Sequence, residues 1–171
     1  MTHFNLCMQK LTTHYHSLLR LPLTWSVDAV DFSADSKRIE IYARFIGGAV
    51  VCPECGLAGK VYDRVAEQRW RHLDTMQYET IIIARLPRCQ CVKCGVKTLT
   101  VPWAERHNSR FTLMFEGFAV DLLQHFSNTN AAADMLELAS SGGRRPCDLL
   151  GNLFSTKKEN GELTLHLSLA L

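Results

Sequence analysis

Five of the seven cysteines fall in two short clusters, Cys52-Pro-Glu-Cys55-Gly56 and Cys89-Gln-Cys91-Val-Lys-Cys94-Gly95. Two Cys-x-x-Cys-Gly turns suit one tetrahedral metal ion. The two-residue spacing lets both thiolates of a turn reach the same ion at about 2.3 Å, and the glycine lets the backbone curl round it. Cys52, Cys55, Cys91 and Cys94 are therefore the candidate ligands of one structural zinc. Four thiolates serve iron equally, and spacing alone does not separate the two metals. Cys89 stands outside the repeated spacing and is expected to be a bystander, while Cys7 and Cys147 read as ordinary thiols. Disulfides would suit a secreted chain, but the mixed polar stretch 1–10 does not resemble a secretory leader. A redox pair would use one such turn in a βαβ setting, not two matched ones. The histidines show no metal-ligand spacing, and no catalytic residue is assigned.

The elements that must position these cysteines follow from patterning. At 171 residues, 47% hydrophobic and 21% charged, the chain is long enough for one moderate domain or two small ones with a buried core. Its net charge of +2 hides an uneven distribution. Residues 60–110 carry ten basic and five acidic side chains, residues 1–59 are balanced, and residues 111–138 have four acids and no lysine or arginine. A polyanion is therefore expected to dock on the metal module. No apolar run approaches the roughly 20 residues of a membrane span.

The stretch 16–21 predicts a short helix stopped by Pro22. Alternation predicts strands over 25–32 and 38–45, with Ile39, Ile41, Ala43 and Phe45 on one face, and Gly47-Gly48 turning into the first cysteine cluster. The 35 residues from 56 to 90 exceed the roughly 15–20 of the commonest four-cysteine ribbons and are expected to fold as an enlarged ribbon. Within and after them, 78–86 and 97–103 read as strands, the latter ended by Pro102. A helix is predicted from the apolar face Phe111, Met114, Phe115, Phe118, Ala119, Leu122, Leu123 and Phe126, with Ser109 as its cap. A polar turn then leads to a second helix over 131–138. This pattern fits the start of a helix-turn-helix and an ordinary αα-hairpin alike. The fold class expected is α+β: a small antiparallel-sheet zinc module followed by a short helical region.

Between the clusters, Arg69-Trp70-Arg71-His72-Leu73-Asp74 places two arginines around a tryptophan. The arginines could bind phosphates, with the aromatic ring stacking or anchoring the loop. Equally, Trp70 and Leu73 could be core while Arg69 and Arg71 pair with Glu67 and Asp74. Trp103 reads as a packing residue between ribbon and helix.

Together the motifs resemble the N-terminal region of bacterial insertion-sequence transposases of the ISL-three family. The resemblance rests on Cys52-Pro-Glu-Cys55-Gly56, Arg69-Trp70-Arg71-His72-Leu73-Asp74-Thr75, Tyr78-Glu79-Thr80, Leu86-Pro87-Arg88, Cys91-Val-Lys-Cys94-Gly95, Val101-Pro102-Trp103-Ala104-Glu105 and Ser109-Arg110-Phe111-Thr112, and it runs from about 15 to about 138. It implies zinc on Cys52, Cys55, Cys91 and Cys94, with Cys89 off the ligand positions. It also implies a helix-turn-helix that recognises terminal inverted repeats and, in the family, a following RNase H-like domain with an Asp/Asp/Glu triad. Arg69, Arg71, His72, Lys93, Lys97 and Arg110 are the candidate DNA contacts. Where the family has a third helix this chain reads Ala139-Ser-Ser-Gly-Gly-Arg-Arg-Pro146, which cannot continue a helix.

The expected organisation is therefore an N-terminal helix and strands (1–50), a zinc module (51–108), a partial helix-turn-helix (109–138) and an out-of-family tail (139–171), although 162–171 alternates like a strand. The expectation is a truncated, non-enzymatic, cytoplasmic DNA-binding region. A gene remnant with unspecific DNA binding and a ribbon that binds intact transposase are the alternatives.

Overall fold

The computed structural model describes residues 2–105, 109–125, 154–159 and 162–167, with side chains for 10–105 and 109–122. The chain divides into two compact units, Met1–Phe115 and Glu116–Leu171.

The first unit begins with helix α1 (Thr2–Leu18), longer than the six-residue helix the apolar patch predicts. It stops before Pro22 because the chain caps itself. Arg20 takes a left-handed φ of 49°, Arg20 N–H donates to the Ser17 carbonyl and Leu21 N–H to that of His16. Tyr15 and Leu21 enter the core, and α1 packs on strand β1 (Trp25–Ser33). Strand β2 (Arg38–Phe45) pairs antiparallel with β1 and buries Ile39, Ile41, Ala43 and Phe45, the face its alternation predicts.

After the short strand β3 (Val50–Val51) the chain runs through β4 (Ala58–Arg64), β5 (Gln68–Thr75), β6 (Tyr78–Ala84), β7 (Pro87–Cys91) and β8 (Gly95–Thr98). These do not make one enlarged ribbon. β3, β4, β7 and β8 form an antiparallel sheet that carries the cysteines, whereas β5 and β6 join the first two strands in the order β1-β2-β6-β5. β2 and β6 pair in parallel, Ile41 opposite Ile82, so this sheet is mixed, its β1-β2 and β5-β6 pairings being antiparallel. The segment 69–75 is thus a strand, joined to β6 by a two-residue turn in which Met76 and Gln77 both have positive φ. β8 ends at Thr98, short of the Pro102 boundary, and the chain then sends Val101, Trp103 and Ala104 into the core as irregular structure.

One cluster of aromatic rings joins these strands. Trp70 meets Trp103 edge-on at 5.5 Å, Trp103 meets Trp25 at 4.8 Å, and Trp25 meets Phe45 at 5.6 Å. Such geometry sets ring edges against ring faces.

The free edge of β5 is covered by the segment leading to helix α2 (Leu113–His125). Arg71 N–H donates to the Arg110 carbonyl, and Thr112 N–H donates to that of Arg71. This occupies a sheet edge that would otherwise present unpaired amides. The helix cap is Thr112, whose Oγ1 accepts from Phe115 N–H at 3.3 Å, and not Ser109. The cap shifts because Phe111 lies outside the helix, bridged to Arg71 and stacked on Phe115. In the second unit, β9 (Phe154–Glu159) and β10 (Glu162–Leu167) form an antiparallel hairpin within the stretch expected to be an out-of-family tail. The second helix predicted over 131–138, and with it the helix-turn-helix, lies outside the described residues.

Candidate metal centre

Both cysteine turns sit at strand ends of the β3-β4-β7-β8 sheet, one between β3 and β4 and the other between β7 and β8. In the first, Cys52 N–H donates to the Leu57 carbonyl and Gly56 N–H to that of Cys52. Gly56 and Gly95 follow the second cysteine of each turn with φ of +70° and +75°, and the space beside each is open, so the demand for glycine is conformational. Lys97 on β8 reaches back to Glu54 at 2.7 Å and straps the first turn to the edge strand.

The sulfurs of Cys52, Cys55, Cys91 and Cys94 all lie within 4.8 Å of one another, with Cys55 and Cys91 at 3.4 Å. Bonds of about 2.3 Å in a tetrahedron hold sulfurs about 3.8 Å apart, so the cluster fits a zinc ion. The Cys94 and Lys93 amides donate to the Cys91 sulfur and draw its thiol down to about 7. Cys94, hydrogen-bonded to Cys55 and desolvated, is pushed up to about 12. Four thiols this close cannot all ionise against one another, and a dication removes that conflict. Cys89 is fully buried outside this group, pushed up by desolvation, and packed so tightly on β4 that a Cβ on Gly59 would lie 2.5 Å from its sulfur.

Residues 48–94 match the family described as the zinc-finger of transposase IS204/IS1001/IS1096/IS1165. They contain all four clustered cysteines. This segment is similar in sequence to a transposase zinc ribbon. Over 89 residues the chain is 35% identical to the transposase for insertion sequence element IS1557 of Mycobacterium tuberculosis, in the CDC 1551 / Oshkosh and the ATCC 25618 / H37Rv strains alike. That stretch is 52% of this chain and 20% of the relative, so the chain spans about a fifth of the curated relatives it matches. No solved structure matches it. No described helix is long and apolar enough to cross a membrane. The ISL-three resemblance therefore holds for the zinc-ribbon region.

The basic candidates are scattered and unequal. Arg69 is exposed but paired with Glu40 at 2.9 Å and Glu67 at 3.6 Å. Lys97 is held by Glu54, whereas Lys93 and Arg110 are exposed. Arg71 is only 9% exposed: it pairs with Asp74 and Glu79, donates to the His72 carbonyl at 2.8 Å and lies over the Phe115 ring. Its guanidinium thus joins β5 to the start of α2. Truncation leaves carboxylates uncompensated beside a desolvated site, and Arg71→Ala is expected to cost about 3 kcal/mol in urea unfolding. A decrease below about 0.5 kcal/mol would return Arg71 to the set of available cations.

His72 bonds through Nδ1 to Thr112 Oγ1 at 2.9 Å, and burial, with Arg71 beside it, holds its pKa down at about 4 against the opposing pull of Asp74. An imidazole so placed is neutral at pH 7. Between about 6.5 and 4 the unfolded chain binds a proton that the folded chain refuses, so stability falls as pH falls through that window, by about 3 kcal/mol for the whole shift. Acid also competes with zinc for thiolates. The measurement is therefore the difference between the protein and His72→Asn, whose destabilisation over the same window should be smaller. Equal destabilisation of the two would show that His72 does not titrate with folding.

Proposed function

We propose that this chain is a zinc-stabilised DNA-binding region of an insertion-sequence transposase, directed to the terminal inverted repeats of its element. The observation that carries the reading is the four-sulfur cluster inside a segment of transposase zinc-ribbon sequence. In this reading all four thiolates hold one zinc, and the metal is structural. It fixes the two turns and the β3-β4-β7-β8 sheet and takes no part in chemistry on DNA. The positive surplus of residues 60–110 supports a polyanion as the partner. The region recognises DNA rather than cutting it.

The test uses the zinc-saturated full chain and labelled duplexes carrying either the element's terminal repeats or a scrambled sequence, compared by fluorescence anisotropy at one fixed salt concentration. A preference of roughly a thousandfold for the repeats is expected of specific recognition. Equal, salt-sensitive binding to both duplexes would reduce the chain to an unspecific binder, and no binding to either would end the DNA reading.

A further inference from the structure

The cations of residues 60–110 separate into two groups once their ion pairs are traced. Arg69, Arg71, Arg88 and Lys97 are held by Glu40 and Glu67, by Asp74 and Glu79, by Asp63 and by Glu54. Among the described residues of that stretch, Lys60, Arg64, Arg85, Lys93 and Arg110 are exposed and make no ion pair. Two of these five are brought together by the topology. β4 hands over to β5, and β6 to β7, along two chain segments that run side by side between the two sheets. Gln68 lies opposite Ala84, Val65 N–H donates to the Leu86 carbonyl, and Arg64 lies opposite Pro87. Arg64 stands on one crossing segment and Arg85 on the other.

Both line a cleft of about 340 Å³ whose other walls include Tyr42, Arg44, Asp28 and Glu67. The acids are already engaged. Asp28 takes Arg44 through two hydrogen bonds, and Glu67 faces Arg69 at 3.6 Å. Arg64 leans on the Phe45 carbonyl at 3.5 Å, a weak interaction that leaves most of its donors open. The cleft therefore presents two guanidinium groups without a carboxylate partner among the described residues, in a partly walled recess where a planar fork best meets a phosphate.

We propose that this cleft is a DNA-backbone phosphate site, with Arg64 and Arg85 as the residues that hold the phosphate. This rests on the DNA-binding reading and moves the principal phosphate site away from Arg69 and Arg71 to the junction between the two sheets. Glu67 limits the site's affinity, because its carboxylate lies in the same wall.

The experiment measures binding of the zinc-saturated full chain to a duplex of unrelated sequence at several salt concentrations, for the protein and for Arg64→Ala/Arg85→Ala, Arg69→Ala and Glu67→Gln. Zinc content and thermal melting confirm that each variant is folded. Each phosphate left unneutralised flattens the log–log salt slope by about 0.9. The double variant is expected to flatten it by about one unit if the arginines share a phosphate and by about two if each takes its own. Arg69→Ala should leave the slope unchanged, and Glu67→Gln should tighten binding. A wild-type slope retained in a folded double variant, or a flattening confined to Arg69→Ala, overturns this site while leaving the DNA reading intact. A wild-type chain that shows no salt-dependent DNA binding overturns both.

Discussion

Stripping the metal with a chelator is expected to unfold the β3-β4-β7-β8 sheet. Structural zinc contributes about 10–16 kcal/mol in small zinc domains, as much as or more than the whole stability of an ordinary one. The sheet itself offers little against its removal. β3 has two residues and β8 four, and Val51, Leu57, Tyr62, Val92 and Val96 of this module are exposed instead of adding to its core. Cys52→Ser, Cys55→Ser, Cys91→Ser and Cys94→Ser should each abolish stoichiometric zinc and the far-ultraviolet signal of the module. Cys89→Ser should keep the zinc and be destabilised by only about 1–3 kcal/mol, the cost of a buried hydroxyl in place of a thiol. Metal analysis beside circular dichroism decides the matter. Zinc absent from Cys89→Ser but kept by Cys91→Ser would overturn the ligand set.

The second large effect lies in the mixed sheet. Trp70 is wholly buried, sits opposite Ile82 on β6 and touches Trp103 edge-on, so one side chain ties β5 to the segment that follows the ribbon. Trp70→Ala should cost about 3–5 kcal/mol, the usual range for an aromatic removed from a packed core. Trp70→Phe should cost much less, because the indole N–H of Trp70 is buried without a hydrogen-bond partner among the described residues and phenylalanine removes that burden along with part of the ring. Urea denaturation of the zinc-saturated protein gives both values. A Trp70→Ala variant within about 1 kcal/mol of the parent would mean that the tryptophan cluster does not hold the sheet together.

The metal centre was legible in the residues because metal ligation is local. Two thiolates three positions apart and a glycine that tolerates positive φ define each half of the site, and only its closure depends on distant chain. The inward face of β2 was legible for a similar reason, since alternation writes the burial of Ile39, Ile41, Ala43 and Phe45 directly into the sequence. Tertiary structure alone decided where 69–75 belongs. Its arginines mask a strand, and Arg71 becomes an interior residue only because Asp74, Glu79 and Phe115 surround it. The parallel pairing of β2 with β6, the transfer of the helix cap from Ser109 to Thr112, and the placing of Arg64 and Arg85 on one cleft have the same origin. Each depends on partners far apart in the chain, chosen by which sheet a strand joins. No local spacing encodes that choice.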